Sequence, residues 1–306
     1  MEHLGRTIPD RKSVLSLIRF RNLVIGSATV LTGSYVSMNS AWSTELILNV
    51  ILQMMSVASF MAAGNILNDI MDLEIDKISH PLRSLPSGKI SIKQAWIFTL
   101  IFSLISIIST TVGILILQSL DMDWIPLATI WFLACSLMIS YEIGPTTKKY
   151  GYFGNIIIGG MLGLVIIYGA AAVGDYNNIV TLCVALMATL MGISREIVKD
   201  VHDIEGDLKW GRKTIPILIG EQNSRNLAYI IVMIAVIVIM LPFMMNLGGL
   251  EYWMILFMLP TIVILIGLNG PMRTGDDKKS IDTLLISMVL GLIGFFLLEI
   301  MLPYIN

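Results

Sequence analysis

Charge is what this sequence has least of. Only 14% of its 306 residues are Asp, Glu, Lys or Arg and 56% are apolar, whereas soluble domains average about 25% charged and 45–50% apolar with glycine included. With a mean hydropathy of +0.81, that balance excludes a soluble globular domain and makes the chain a polytopic membrane protein. Cysteine is nearly missing as well. Cys135 and Cys183 each stand alone in an apolar run, which excludes a disulfide framework or a cysteine metal site and leaves them as small packing residues. His80 and His202 have no partner spacing for metal or triad chemistry. No basic tract marks a nucleic-acid partner, and nothing implies an obligate protein partner. The charged N-terminus and a long first apolar run without a small-residue cleavage site argue against a cleavable signal peptide.

What is present is a series of apolar runs. Nine approach or exceed the roughly 17–20 residues that a bilayer requires: 14–38, 45–68, 94–118, 124–141, 154–174, 179–198, 225–246, 251–269 and 281–304. The expected fold is an all-α polytopic bundle of nine transmembrane helices, a single domain over 1–306. The larger links, 69–93, 142–153, 199–224 and 270–280, fall on one side if the helices alternate. All 20 Lys and Arg residues lie in the N-terminal segment, in these links or at the helix ends beside them. The opposite links carry Glu45, Asp121, Asp123, Asp175 and Glu251 and no basic residue. By the positive-inside rule the N-terminus and these four links are cytoplasmic.

Against this scarcity, two cytoplasmic stretches concentrate acid. In NILNDIMDLEIDK, Asp69, Asp72 and Asp76 stand at i, i+3 and i+7; in REIVKDVHDIEGD, Asp200, Asp203 and Asp207 repeat the spacing. At about 100° per residue each set spans an arc of about 60° on a helix, with Glu74 and Glu205 on the far side. The repeat suggests that helices two to four and six to eight are related parts of an internal repeat.

Two facing sets of three carboxylates repel, each close pair costing on the order of 4 kcal/mol at an effective dielectric of about 20. Placement at helix C-termini adds the opposition of the macrodipole. A cation between them is therefore expected, and all-oxygen donors suit Mg2+ or Ca2+. Mg2+ completes its shell with water and substrate phosphates, which implies a phosphorylated substrate. The plainer alternative is a pair of solvated, charged helix ends. Each set precedes a basic link, KISHPLRSLPSGK and LKWGRKTIP, in which Arg83 and Lys213 are the candidate phosphate binders. Tyr141 and Lys148 lie in the link between helices four and five. Arg19, Arg21 and Asn22 open helix one on the same side.

At these residues the chain resembles the UbiA-type membrane prenyltransferases. Asn68, Asp72 and Asp76 match that family's Asn-x-x-x-Asp-x-x-x-Asp pattern, and Asp203 and Asp207 its Asp-x-x-x-Asp pattern. The resemblance covers essentially the whole chain and implies the UbiA-type fold. It implies a prenyl diphosphate donor held through Mg2+ by Asn68, Asp69, Asp72 and Asp76 on one side and Asp200, Asp203 and Asp207 on the other. Arg83 and Lys213 would offset the remaining charge, and Tyr141 would face the allylic cation through its ring. PLRSLPSGKIS, REIVKDVHDIEGD and GRKTIPILIG look most like the archaeal branch that transfers geranylgeranyl from its diphosphate to geranylgeranylglyceryl phosphate. The acceptor is then a lipid glyceryl phosphate, with Arg19, Asn22 and Lys148 as candidate binders. Three rivals stand beside this: a UbiA-type enzyme with an aromatic acceptor, an ion-coupled transporter, and a CDP-alcohol phosphotransferase, whose single-segment aspartate signature is absent.

Overall fold

The computed structural model describes residues 9–38, 42–143, 150–245 and 251–301. Among the described residues every regular element is a helix. In chain order they are α1 (Arg11–Leu17), α2 (Phe20–Ser37), α3 (Thr44–Met71), α4 (Leu73–Ser79), α5 (Ile92–Ser119), α6 (Ile125–Ile143) and α7 (Gly151–Ala171). There follow α8 (Ile179–His202), α9 (Ile204–Lys209), α10 (Ile215–Ile219), α11 (Glu221–Met244), α12 (Glu251–Gly267), α13 (Asn269–Thr274) and α14 (Asp277–Met301).

Seven of these helices, α3, α5, α6, α7, α8, α11 and α14, are long and apolar enough to cross a membrane. An eighth span would join α1 and α2 across a 55° bend. The ninth expected span is the 17-residue α12, at the short end of what crosses a bilayer. The sequence predicts one unbroken first helix over 14–38; the structure breaks it after Leu17. At the break Arg19 takes a left-handed backbone conformation, φ 53° and ψ 54°, a strain of roughly 1–3 kcal/mol for a non-glycine residue. Its side chain is thereby turned to α3, where ion pairing offsets the strain.

Both aspartate sets lie at helix ends, as expected, and the helical course runs on into the links. Helix α3 runs on through Met71 and α8 through His202, and each continues past a one-residue joint into a short helix, α4 or α9. The joints are Asp72 (φ −94°, ψ 10°) and Asp203 (φ −99°, ψ 9°). Backbone bonds from Asp76 to Asp72 (2.8 Å) and from Asp207 to Asp203 (3.1 Å) carry the helical period through the bend. The two halves use one device.

Elsewhere the bundle is held by close helix contact and by internally paired polar groups, since lipid offers neither a hydrophobic drive nor a hydrogen bond. Fully buried Asn49 and Gln53 on α3 illustrate the second. Asn49 donates to the Ala172 carbonyl (2.8 Å), Gln53 to Asn49 (2.7 Å), and the Tyr168 hydroxyl to Gln53 (2.6 Å). At the other end of the chain, Arg225 forks onto Asp277 with two 2.7 Å bonds that tie α11 to the start of α14.

The contact that matters most for the site is α7 on α8. A Cβ on Gly159 would lie 2.7 Å from the Thr189 carbonyl oxygen, and one on Gly163 2.6 Å from that of Ala185. Only glycine permits this approach. Gly159→Leu should therefore force the helices apart, at a cost of about 1–3 kcal/mol or more, and draw Asn155 at the start of α7 away from Asp200 on α8. The expected result is a lower thermal-unfolding midpoint in detergent together with reduced activity. An unchanged midpoint would contradict the packing argument.

Candidate active site

At one end of the bundle α3, α6, α7, α8 and α9 enclose a polar cavity of about 100 Å³. Asp72 reaches it from the first repeat, and Asp200, Asp203 and Asp207 from the second. Glu196 adds a fifth carboxylate; Lys199 and Arg212 are the cationic side chains in the wall. Tyr141 closes one side. Its ring lies on the α7 backbone, where a Cβ at Gly154 would come within 3.0 Å of Cε2, so glycine at that position makes room for the aromatic face.

The structure divides each aspartate triplet into roles. The middle member, Asp72 or Asp203, sits at the helix joint facing the cavity. The third member is buried and gripped by an arginine returning from the following turn. Asp76 (4% exposed) pairs with Arg83 at 2.6 Å, and Asp207 (7% exposed) with Arg212 at 3.5 Å. The first member is held from another element: Asp69 by Arg19 Nη2 at 2.9 Å, Asp200 by Asn155 Nδ2 at 2.9 Å. Asp69 and Asp76 thus stand outside the cavity lining. Among the described residues no three His, Cys, Asp or Glu side chains converge as a ready-made ion shell.

The Arg212 contact follows from a local rule. Helix α9 ends at Trp210, and Gly211 enters the left-handed region with φ 64°. The Gly211 amide donates to the Leu208 carbonyl (3.2 Å) and the Arg212 amide to that of Asp207 (3.0 Å), the paired bonds of a Schellman ending. This throws Arg212 back along the helix onto Asp207. Lys213, the residue expected from sequence, points elsewhere: it is exposed, with Nζ 5.6 Å from the Tyr150 ring centroid. The Gly just past the helix end was the signal that favoured Arg212.

Two further residues escaped the sequence reading. Asn155 is 4% exposed and fixes Asp200; Glu142 is 7% exposed and accepts from Asn68 Nδ2 at 3.1 and 3.2 Å. Neither belongs to the repeated pattern, so periodicity gave no reason to single them out. Asn22 lies with Lys12, Arg19 and Arg21 along an open cleft of about 520 Å³ at the α1–α2 break. Lys148 lies outside the described residues.

Electrostatically the cavity wants positive charge. Burial raises the Asp207 carboxyl above its usual range; Arg212 pulls it back, and the carboxylate of Asp203 pushes it up again. Five carboxylates against two cations, all presenting oxygen, are a donor set suited to a hard divalent ion. Glu74 and Glu205 are exposed on the outer faces of α4 and α9, and Glu74 pairs only locally with Lys77 (2.6 Å) among the bonds described. Glu74→Gln and Glu205→Gln should keep most activity, within about threefold given the small worth of surface pairs. A loss as severe as that of Asp72→Asn would contradict the assignment of faces.

Apolar spans that bring acids from two repeats into one polar pocket, walled by an aromatic ring, make this a polytopic membrane enzyme with its polar chemistry at one end of the bundle. The chain belongs to the UbiA prenyltransferase family, which it matches over residues 27–288. It is 32% identical over 271 residues to a digeranylgeranylglyceryl phosphate synthase of Methanococcus maripaludis (strain C6), covering 89% of this chain and 91% of that one. The Methanocaldococcus jannaschii synthase of the same name is 32% identical over 250 residues, 81% and 82% of the two chains. A solved structure concerning digeranylgeranylglyceryl phosphate synthase in membranes superposes with a TM-score of 0.73 at 30% identity, over 95% of this chain and 99% of that one. A UbiA homolog from Archaeoglobus fulgidus bound to DMAPP and Mg2+ shares the fold, with a TM-score of 0.68 at 17% identity over 95% and 100% of the chains.

Proposed function

We propose that this protein is a Mg2+-dependent prenyltransferase that moves the geranylgeranyl group of geranylgeranyl diphosphate onto geranylgeranylglyceryl phosphate, yielding digeranylgeranylglyceryl phosphate for archaeal ether lipids. The observation that carries the reading is the acid-walled cavity at the end of an apolar bundle, with relatives named for this reaction matching most of the chain. A bound Mg2+, held by Asp72, Asp203 and Asp207 with Asn68 and Asp200 in support, would neutralise the diphosphate and ease its departure. Asp69 and Asp76 serve from behind, keeping Arg19 and Arg83 in place.

The protein's own groups do the rest. Arg212 and Lys199 face the diphosphate as fixed cations, whose attraction strengthens as negative charge gathers on the leaving group. The apolar spans receive the isoprenoid tail and exclude water from the reacting carbon. The C1–O bond of the donor breaks, leaving an allylic cation that the Tyr141 ring faces, a contact worth about 2 kcal/mol when desolvated. The acceptor hydroxyl oxygen then bonds to C1, and its proton passes to the departed pyrophosphate. The lysine and arginine bias supports nine spans, with the N-terminus and this cavity on the cytoplasmic side.

Labelled geranylgeranyl diphosphate offered with a panel of acceptors tests the reading. Product is expected with the glyceryl phosphate lipid; transfer to a hydroxybenzoate or a naphthoate in its place would overturn it. A lipid phosphate also needs a second anion site, and the cleft beside Lys12, Arg21 and Asn22 is suited to one. Arg19 is committed to Asp69, so Arg21→Gln is the sharper probe. A charge-assisted contact is worth about 1.5–3 kcal/mol, so the acceptor KM should rise roughly ten- to a hundredfold while the donor KM stays constant. An effect confined to the donor would move Arg21 to the diphosphate.

A further inference from the structure

Glu142 is a buried carboxylate that neither aspartate repeat contains. It sits next to the end of α6, 7% exposed, and both its oxygens accept from Asn68 Nδ2, at 3.1 and 3.2 Å. The same nitrogen donates to Asp72 Oδ2 at 3.2 Å, while the Asn68 carbonyl oxygen faces Arg19 Nη2 at 3.3 Å. An amide nitrogen carries two N–H groups, and here two carboxylates claim them. Reversing the amide would set its carbonyl oxygen against both anions and its N–H groups against a guanidinium. Asn68 therefore has one tolerable orientation, dictated on the nitrogen side by Glu142 and Asp72 together.

The consequence reaches the cavity. Among the described residues Asp72 is the first repeat's only carboxylate in the wall, and it sits at the helix joint. Asn68, locked from behind by Glu142, holds Asp72 Oδ2 in place. In the second repeat it is the first acid, Asp200, that is fixed, by Asn155 on α7. Each half of the site is thus braced from a helix other than the one that carries its aspartates: α6 for the first, α7 for the second.

We infer that Glu142 is a positioning residue that acts through Asn68 to hold Asp72 in its cation-binding orientation. This rests on the proposed metal dependence. What Glu142 contributes is a hydrogen-bond acceptor, so a neutral acceptor of the same shape suffices, and removing Asn68 makes Glu142 irrelevant. Outer partners of metal ligands typically matter by ten- to a hundredfold in metal affinity.

The test uses full-length protein in nanodiscs with inorganic pyrophosphate, titrated with Mn2+ and followed by electron paramagnetic resonance, thermal unfolding serving as the check on fold. Glu142→Met keeps volume but no acceptor and should weaken Mn2+ binding by about tenfold or more. Glu142→Gln, whose Oε1 still accepts from Asn68, should stay within about threefold of the unsubstituted protein. Glu142→Met added to Asn68→Ala should weaken binding no further than Asn68→Ala alone. Should Glu142→Met prove unstable, Glu142→Gln still decides: a tenfold loss there means that the charge matters and overturns the inference. An additive double substitution overturns it as well. If the unsubstituted protein fails to bind Mn2+ at all, the metal dependence itself is wrong, an outcome distinct from normal binding that is indifferent to Glu142.

Discussion

Asp72→Asn or Asp203→Asn is expected to abolish turnover, by at least about a hundredfold in kcat, in protein that remains folded and membrane-inserted. These are the joint residues of the two repeats, with matching backbone angles, and both line the cavity. Asparagine preserves the shape and most of the hydrogen bonding, so the substitution removes one negative charge and little else. The loss of one well-placed electrostatic contact to the reacting groups costs about 2.7–4 kcal/mol, which sets the scale. EDTA should silence the unsubstituted protein and excess Mg2+ restore it. Activity undiminished by chelation would refute the metal dependence; a substantially active Asp203→Asn would refute the equivalence of the two joints.

Arg212→Ala should be nearly as damaging, whereas its neighbour Lys213→Ala should cost no more than a few-fold. Asp207 is 7% exposed and its guanidinium partner lies at 3.5 Å. Truncating one member of such a pair strands the other charge in a poorly solvated place, at a cost of about 2–5 kcal/mol, roughly thirtyfold to a few thousandfold in kcat/KM. Arg212→Lys should fall between the two, because it keeps the charge and loses the planar fork that grips a carboxylate or phosphate. Lys213 lies over the Tyr150 ring and is not among the residues that line the cavity. A reversal of the ranking, with Lys213→Ala the worse, would mean that the turn after α9 rearranges when substrate binds.

Much of this could be read from the chain alone. Scarcity of charge and the length of the apolar runs fix an all-helical membrane protein, because a bilayer demands internally satisfied backbone. The shared i, i+3, i+7 spacing marks the acids, since helical period is a local property that each stretch carries within itself. The outward placement of Glu74 and Glu205 follows from the same rule, and they are exposed as expected. Local sequence also encoded the Arg212 contact through Gly211, although proximity to the helix end made Lys213 look as suitable.

What tertiary structure decided is which acids share a space. Asp69 and Asp72 look equivalent along the sequence, yet one is bound to Arg19 and the other faces the cavity, because a left-handed residue between α1 and α2 turns Arg19 onto α3. Asn155 reaches Asp200 only because glycines let α7 lie against α8. Glu142 joins the first motif from 74 positions away. Contacts of that kind depend on how helices far apart in the chain approach one another, and no periodicity within a single helix contains that information.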